Sequence, residues 1–304
     1  MDIIRLTEPV AVETKHNDPP MVFIDSSGIK RKFPDIAYGN FPSRMLDLYL
    51  PEDGEGPFPT IVFFHGGAFW GGSRKDFQCI YALKGILRGY AVASVDYSLC
   101  DDALFPAGVQ DCMAAVRYLR KHAAQYKLDP ERIAVMGDSA GAYMAAMVAG
   151  AATNPALMEQ DRENGDTPGN VQAMVGLFGV YYLTQQSYFT EEKRLSPDPL
   201  QPKLDNFADL FLGINCREHP NMAAMADPAS YVTAEYPPAL IQGGTEDEIV
   251  PYEASVNFAG RVNAVCGEGR AVLQSLEGAR HGDDAYNSDE NIDRIFAFLD
   301  KHLK

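Results

Sequence analysis

Ser139 lies in the motif Gly137–Gly141, which has the pattern G-x-S-x-G. An apolar run, RIAVM, leads into the motif, and an Ala/Met-rich segment with helical character follows it. A tight turn from strand to helix forces such a serine into a strained conformation and exposes its hydroxyl. A serine hydroxyl is a poor nucleophile unless a neighbouring base takes its proton. The motif therefore predicts a nucleophile and requires a base elsewhere in the chain.

His281 is the predicted base among the six histidines of the chain. It lies in the segment ARHGDDAY, after the last predicted strand and before the final predicted helix. The carboxyl ends of parallel strands meet at one edge of a sheet, which is where α/β proteins place their functional residues. His281 and Ser139 should therefore share that edge. His65 begins a glycine-rich turn, and we interpret it as a residue that fixes this turn by hydrogen bonding.

Asp247 is the predicted acid that orients the imidazole and stabilises its charged form. It lies in GGTEDEIVP, which follows the predicted strand PALIQ at the same edge. Glu246 and Glu248 are competing choices, because one step in register decides which side chain turns inward. The resulting order is nucleophile, acid, base, as in the α/β-hydrolases and unlike chymotrypsin or subtilisin.

A glycine-rich loop, HGGAFWGGS, follows the predicted strand TIVFF. Glycines allow backbone N–H groups to face a developing negative charge without obstruction by side chains. We predict that the N–H groups of Gly67 and Ala68 form an oxyanion hole together with that of Ala140. Trp70 lies beside this loop and is predicted to line the substrate pocket, with core packing as an equal alternative.

Short apolar runs alternate with amphipathic helices from residue 60 onward, which predicts a mostly parallel sheet with helices on both faces. The apolar residues Val109, Cys112, Met113, Val116 and Leu119 recur with the helical period. One segment, residues 182–235, interrupts this alternation. It is long, rich in proline and aromatic residues, and begins at Tyr182, a predicted substrate-binding residue. We predict that it forms a small helical cap.

These segments resemble the α/β-hydrolase superfamily, near the hormone-sensitive-lipase-like esterases and the feruloyl and acetylxylan esterases of the BD-FAE type. The resemblance extends from about Tyr38 to the C-terminus and rests mainly on FPTIVFFHGGAFWGGS, MGDSAGA, TEDEIVP and HGDDAY. It implies a single domain over residues 1–304, with an eight-stranded, mostly parallel sheet and the cap inserted at 182–235. It also assigns the acid to Asp247, with Ser139 as nucleophile and His281 as base.

The implied activity is that of a serine esterase that needs no cofactor. Its substrates would be esters of short acyl chains or small aromatic acids, including acetyl or feruloyl groups on carbohydrate. An arylformamidase-like amide hydrolase is the alternative reaction, since the same groups cleave activated amides. A ligand-binding pseudoenzyme is a further alternative, although such proteins usually lose a member of the triad. Ala142 and Ala68 stand where related sequences commonly have glycine, in GDSAGG and HGGG.

The composition excludes several classes of protein. The chain of 304 residues has 26 basic and 42 acidic residues, a net charge of −16, which makes nucleic acid an unfavourable partner. No apolar run approaches the roughly 18 residues of a membrane span, and no secretory signal is apparent, so we expect a cytoplasmic protein. The five cysteines are scattered without a C-x-x-C pattern, which predicts neither disulfides nor a metal site. The sequence does not decide the oligomeric state, and both a monomer and a homodimer are compatible with it.

Overall fold

An eight-stranded sheet organises the part of the chain that the computed structural model describes, residues 4–10, 22–155, 157, 164–184 and 207–304. A separate pair of short antiparallel strands comprises β1 (Arg5–Leu6) and β2 (Ile24–Asp25). The strands of the large sheet are, in chain order, β3 (Lys32–Ala37), β4 (Met45–Tyr49), β5 (Phe58–Phe64), β6 (Ala91–Val95), β7 (Leu128–Asp138), β8 (Ala173–Leu177), β9 (Ala239–Gly244) and β10 (Ala271–Leu276).

The spatial order of the large sheet is β10-β9-β8-β7-β5-β6-β4-β3. Strand β4 runs antiparallel to both its neighbours, and every other pair of neighbours is parallel. Strands β5, β6, β8 and β9 are buried on both faces over their whole length, and β7 is buried from Ile133 onward, as parallel strands covered by helices should be. This confirms the predicted mostly parallel, eight-stranded sheet of an α/β-hydrolase fold.

Helices cover both faces of the sheet. They are α1 (Ile80–Leu83), α2 (Ala107–Lys121), α3 (Ala123–Tyr126), α4 (Ala140–Ala151), α5 (Phe207–Leu212), α6 (Pro220–Met225), α7 (Tyr252–Cys266) and α8 (Asp289–Leu303). Helices α2, α4 and α7 contribute to one apolar cluster, whereas α1 and α8 contribute to the other. Strand β5 divides its side chains between the two clusters, because successive residues of a strand point to opposite faces.

The predicted cap segment, residues 182–235, is described at 182–184 and 207–235; its residues 185–206 lie outside the described part. The described portion contains the short helices α5 and α6, as the prediction of a helical segment requires. Phe211 of α5 stacks on Phe69 with ring centroids 4.1 Å apart. The Tyr143 hydroxyl of α4 donates to the carbonyl of Ala226 at 2.7 Å. The segment therefore packs beside both the glycine-rich loop and the helix that follows Ser139.

Two predicted elements are shorter than the sequence indicates. The strand predicted at MVFID is only the two-residue β2, because its neighbours bond to short loops: Phe77 N–H donates to Val22 and Thr7 N–H to Phe23. The helix predicted around Ile80 to Arg88 is α-helical over four residues, with 3₁₀ turns before and after it. The residues around β2 pair with the segment that directly follows the glycine-rich loop, since Phe23 forms a bridge with Asp76 and the Ile24 N–H donates to the Lys75 carbonyl.

Candidate active site

Ser139 occupies the turn between β7 and α4, as the motif predicts. Its backbone φ is 49°, in the left-handed region that residues with a side chain rarely adopt. The flanking glycines are required by close contacts. A Cβ on Gly137 would lie 2.2 Å from the carbonyl oxygen of Gly141, and one on Gly141 would lie 2.0 Å from that of Phe64. Gly137 thus lets β7 and α4 approach closely enough to form the strained turn, and Gly141 lets α4 approach the end of β5.

His281 is brought to Ser139 by the loop between β10 and α8. Its Nε2 lies 3.0 Å from the Ser139 Oγ, across a sequence separation of 142 residues. The imidazole is largely buried, with 15% of the side chain exposed. The Phe178 ring, at the end of β8, packs edge-on against it with centroids 4.7 Å apart. The histidine predicted from its place in the chain is therefore within hydrogen-bonding distance of the serine.

Asp247 lies on the other side of the imidazole. Its Oδ2 is 2.8 Å from the His281 Nδ1, and its side chain is 1% exposed. The second oxygen, Oδ1, accepts hydrogen bonds from the N–H groups of Ile249 and Val250 at 2.9 and 2.8 Å. A carboxylate can only accept, so the imidazole carries its proton on Nδ1 and turns the Nε2 lone pair to the serine.

The two competing acids point elsewhere. Glu246 and Glu248 are exposed, and Glu248 lies 3.8 Å from Arg280 in an ion pair at the surface. The structure therefore brings Asp247, and neither glutamate, to His281. The sequence could not separate these three acids without the resemblance, because a shift of one residue in the loop exchanges the inward and outward positions.

The glycine-rich loop takes a strained path after β5. Gly67 has a φ of 116°, and the following Ala68 and Phe69 have φ values of 52° and 70°. A non-glycine residue in this region costs of order 1–3 kcal/mol. Trp70 and Gly71 both donate their N–H groups to the Gly67 carbonyl, which closes the turn. Burial of the Phe69 ring against Phe211 offsets part of the strain.

Of the predicted oxyanion donors, Gly67 and Ala68 are half-buried, and Ala140 is the first residue of α4. No backbone acceptor among the described residues takes up the N–H of Gly67, Ala68 or Ala140. The N-terminus of α4 begins at Ala140, and the aligned peptide dipoles there favour negative charge. These three amides thus keep their hydrogen-bonding capacity near Ser139.

Buried polar side chains form hydrogen bonds with both ends of the glycine-rich loop. The buried His65 donates from Nδ1 to the Gly66 carbonyl at 2.7 Å, and its ring stacks on Tyr97. The Tyr97 hydroxyl donates to the His65 carbonyl at 2.7 Å. At the other end of the loop, the buried Asp76 accepts from the N–H and hydroxyl of Ser73. His65 therefore contacts the loop as a fixing residue, in agreement with its interpretation from the sequence.

For the two predicted substrate-binding residues, Trp70 and Tyr182, the structure describes burial and packing. Trp70 is half-buried within the loop. Tyr182 is half-buried and packs against the same apolar cluster as α4, and burial raises the pKa of its hydroxyl. Their proximity to a substrate stays a prediction. Sequence reasoning missed Phe178 beside His281, although its place at the end of β8 was an available signal.

The part of the chain with described coordinates contains no group of three or more His, Cys, Asp or Glu side chains arranged to hold a metal ion. Within that same part, no helix is long and apolar enough to cross a membrane.

A serine, a histidine and an aspartate at three strand ends of such a sheet define the chain as an α/β-hydrolase. The BD-FAE family model matches residues 46–262, which include Ser139 and Asp247. The chain therefore belongs to the BD-FAE family.

Relatives of known description are esterases. Esterase LipC of Mycobacterium tuberculosis is 29% identical over 250 residues, which cover 82% of this chain and 59% of LipC. A probable isoprenylcysteine alpha-carbonyl methylesterase of Arabidopsis thaliana, ICMEL1, is 28% identical over 261 residues, covering 82% of this chain and 50% of that protein. The chain thus spans little more than half the length of these relatives.

Solved structures share the fold. A bifunctional GH43-CE protein of Bacteroides eggerthii superposes with a TM-score of 0.77 at 23% identity, covering 93% of this chain and 40% of that one. Esterase 2 of Thermogutta terrifontis, with propionate bound, superposes with a TM-score of 0.68 at 25% identity, covering 88% of this chain and 93% of that one.

Proposed function

We propose that the protein is a serine carboxylesterase that forms an acyl-enzyme on Ser139. The observation that carries this proposal is the continuous hydrogen-bonded series from Asp247 through His281 to the Ser139 Oγ. Each member has the geometry that its role requires: a nucleophile in a strained turn, a base within hydrogen-bonding distance of it, and a buried acid that fixes the tautomer of the base.

The reaction proceeds in two halves. The Ser139 Oγ attacks the ester carbonyl while His281 Nε2 takes the hydroxyl proton, and the C–O bond to the alcohol breaks as His281 returns that proton to the leaving oxygen. Water then attacks the acyl-enzyme, His281 takes a proton from it, and the acid leaves as Ser139 regains its hydroxyl. Asp247 stabilises the imidazolium that forms in both halves without taking its proton.

Negative charge develops on the carbonyl oxygen in both halves. The N–H groups of Gly67, Ala68 and Ala140 supply the donors, since backbone amides held in place need no reorganisation when charge appears. Loss of one such donor costs about 10²–10³ in kcat in other serine hydrolases. The buried packing of Phe69 and the closed turn at Gly67 support this function, because both fix the loop that carries the donors.

We infer that the substrates are esters of short acyl or small aromatic acids, with acetyl or feruloyl groups on carbohydrate among them. Three contacts between aromatic rings support a restricted pocket. Phe69 packs edge-on against Tyr143, at 5.2 Å, and both rings contact Phe211 of the cap segment, so aromatic side chains fill space beside the loop. The similar esterase 2 of Thermogutta terrifontis has structures with propionate and with butyrate bound.

We further propose that residues 182–235 act as a cap over this site within a single domain. Asp227, near the end of the segment, accepts the Leu183 N–H at 2.6 Å and so joins its beginning to its end. Together with the contacts to Phe69 and Tyr143, this hydrogen bond supports a cap beside the glycine-rich loop.

The test compares Ser139→Ala with Ser27→Ala, a matched change at an exposed loop serine. Hydrolysis of p-nitrophenyl acetate, methyl ferulate, acetylated xylan and N-formylkynurenine is measured for wild type and both variants. We expect ester hydrolysis that Ser27→Ala retains and Ser139→Ala loses by several orders of magnitude. More than a few per cent activity in Ser139→Ala, or preference for N-formylkynurenine over every ester, would contradict the proposal.

A further inference from the structure

Asp138, the residue before the nucleophile, has a buried carboxyl that the mechanism above does not use. It is 0% exposed at the end of β7. Its Oδ1 accepts the N–H of Gly66 at 3.0 Å, across 72 residues of sequence. Its Oδ2 has no hydrogen-bond partner among the described residues, which is rare for a buried polar atom. The buried and unpaired Asp138 Oδ2 therefore needs a physical explanation.

The contact with Gly66 reaches the oxyanion loop directly. Gly66 precedes Gly67 and Ala68, the two predicted donors of the loop, and its own N–H is occupied by the Asp138 carboxyl. The approach is close: a Cβ on Gly66 would lie 2.6 Å from the Asp138 Oδ2. The strained path of Gly67 and Ala68 thus starts from a peptide that Asp138 holds beside Ser139.

We propose that Asp138 is a positioning residue that works as a neutral acid, holding the oxyanion loop through Gly66 while staying uncharged during acyl transfer. This inference rests on the proposed function, because the loop matters only if an oxyanion forms there. The carboxyl acts through the loop amides and does not itself touch the reacting atoms.

Electrostatics require the carboxyl to be neutral. An ionised Asp138 would place a buried negative charge one residue from Ser139, close to the carbonyl oxygen on which negative charge develops. Buried like charges repel strongly because little solvent screens them. A protonated carboxyl keeps an acceptor for the Gly66 N–H and removes this repulsion.

The surroundings of Asp138 favour the neutral form. Burial is the main cause that raises the pKa of its carboxyl, to about 8; the hydrogen bond from the Gly66 N–H lowers the pKa, and the nearby Asp76 carboxyl adds a smaller increase. Burial also raises the pKa of the Asp76 carboxyl, while His65 and the bonds from Ser73 lower it. The other titratable groups that face Asp138 are uncharged when protonated: Cys79, Tyr81 and Tyr97. No cation among these groups pairs directly with the Asp138 carboxyl.

The test uses Asp138→Asn, which keeps a carbonyl acceptor and cannot ionise, and Asp138→Leu, which keeps similar volume without an acceptor. Both are assayed with methyl butyrate in a pH-stat from pH 6 to 10, with kcat and KM measured separately and active sites counted with a fluorophosphonate. Asp300→Asn is the control, because it removes a carboxyl near the end of α8 that accepts from the Tyr90 hydroxyl at 2.6 Å and whose pKa is lowered, since the opposing effect of burial is outweighed by its bonds from Lys304 and Tyr90.

We expect the kcat of wild type and of Asp300→Asn to fall as pH rises through about 8, and that of Asp138→Asn to stay level there. At pH 7, Asp138→Asn should be within about threefold of wild type, whereas Asp138→Leu should lose about 10²-fold in kcat with little change in KM, as for a lost oxyanion donor.

An alkaline fall that persists unchanged in Asp138→Asn, or that wild type lacks, would overturn the neutral-acid role. A folded Asp138→Leu with the wild-type kcat would overturn the positioning role; if that variant does not fold, the profile of Asp138→Asn decides alone. Failure of the esterase proposal is seen separately, as activity that survives in Ser139→Ala.

Discussion

Replacement of Asp247 by asparagine tests how the buried acid supports His281. The asparagine has nearly the same shape, and its carbonyl can still accept the N–H groups of Ile249 and Val250 that hold Oδ1 in place. The change therefore removes the charge, which faces the His281 Nδ1 at 2.8 Å, while leaving the loop intact. An amide nitrogen turned toward the imidazole would also donate to Nδ1 and move the ring proton to Nε2, where it blocks proton transfer from Ser139.

The loss of the charge alone is large. Two unit charges about 4 Å apart interact by about 4 kcal/mol at an effective dielectric constant of about 20. Since each 1.4 kcal/mol is a factor of ten, the imidazolium would lose about 10³ in stabilisation. The change to the wrong tautomer adds to this, and the same substitution in trypsin costs about 10⁴ in kcat. We expect Asp247→Asn to lose between about 10³ and 10⁴ in kcat.

The assay is methyl butyrate hydrolysis at pH 7.5 with active sites counted independently. Glu246→Gln and Glu248→Gln are matched controls, since each removes one neighbouring carboxylate that is exposed to solvent. Both should stay within about threefold of wild type, because exposed ion pairs contribute about 0–1 kcal/mol. A crippled Glu246→Gln or Glu248→Gln beside a mild Asp247→Asn would refute the assignment of the acid.

Three further predictions follow from the packing and the charges. Phe211→Ala should lower the unfolding free energy by about 3–5 kcal/mol and reduce kcat, since it removes the ring stacked on Phe69, whereas Phe77→Ala, at a 40% exposed ring, should change stability little in thermal unfolding. Asp138→Asn should gain stability over wild type as pH rises from about 4 to 8. Because the pKa of Asp138 is raised, the folded wild type keeps a proton that the unfolded chain releases, and its unfolding free energy falls as pH rises. Denaturant titrations at pH 5 and pH 8 should therefore show the unfolding free energies of the variant and wild type diverging by at most about 1.4 kcal/mol per pH unit. Across p-nitrophenyl esters, kcat/KM should peak from acetyl to butyryl and fall steeply by octanoyl; a rise of about tenfold for every two methylenes would indicate a long acyl tunnel instead.

The sequence predicted the sheet and the positions of its functional loops well, because buried parallel strands have a strong apolar signal and their carboxyl ends share one edge. The helix predicted from Ala140 to Ala151 has those bounds in the structure. Ser139 and His281 follow from the same logic, since Ser139 comes directly after β7 and His281 lies in the loop that follows β10.

What the sequence could not predict depends on contacts between distant residues. The stacking of Phe69 on Phe211 joins positions 142 residues apart that share no local pattern. In the sequence, Asp138 is only the variable polar residue before Ser139 in G-x-S-x-G. The fold shows that its side chain is buried and accepts the Gly66 N–H. The register at Asp247 was undecided for a related reason, because side-chain direction in a loop is set by packing and not by periodicity.

The most direct measurement of the central claim is mass spectrometry of the protein inactivated with a fluorophosphonate. We expect one adduct per chain, located on Ser139 in the peptide that contains GDSAG and formed at the same rate as esterase activity is lost. His281→Ala should slow this labelling by orders of magnitude, because the hydroxyl then lacks its base. An active enzyme that stays unlabelled, or one inactivated by an adduct on another residue, would contradict the assignment of Ser139 as the nucleophile.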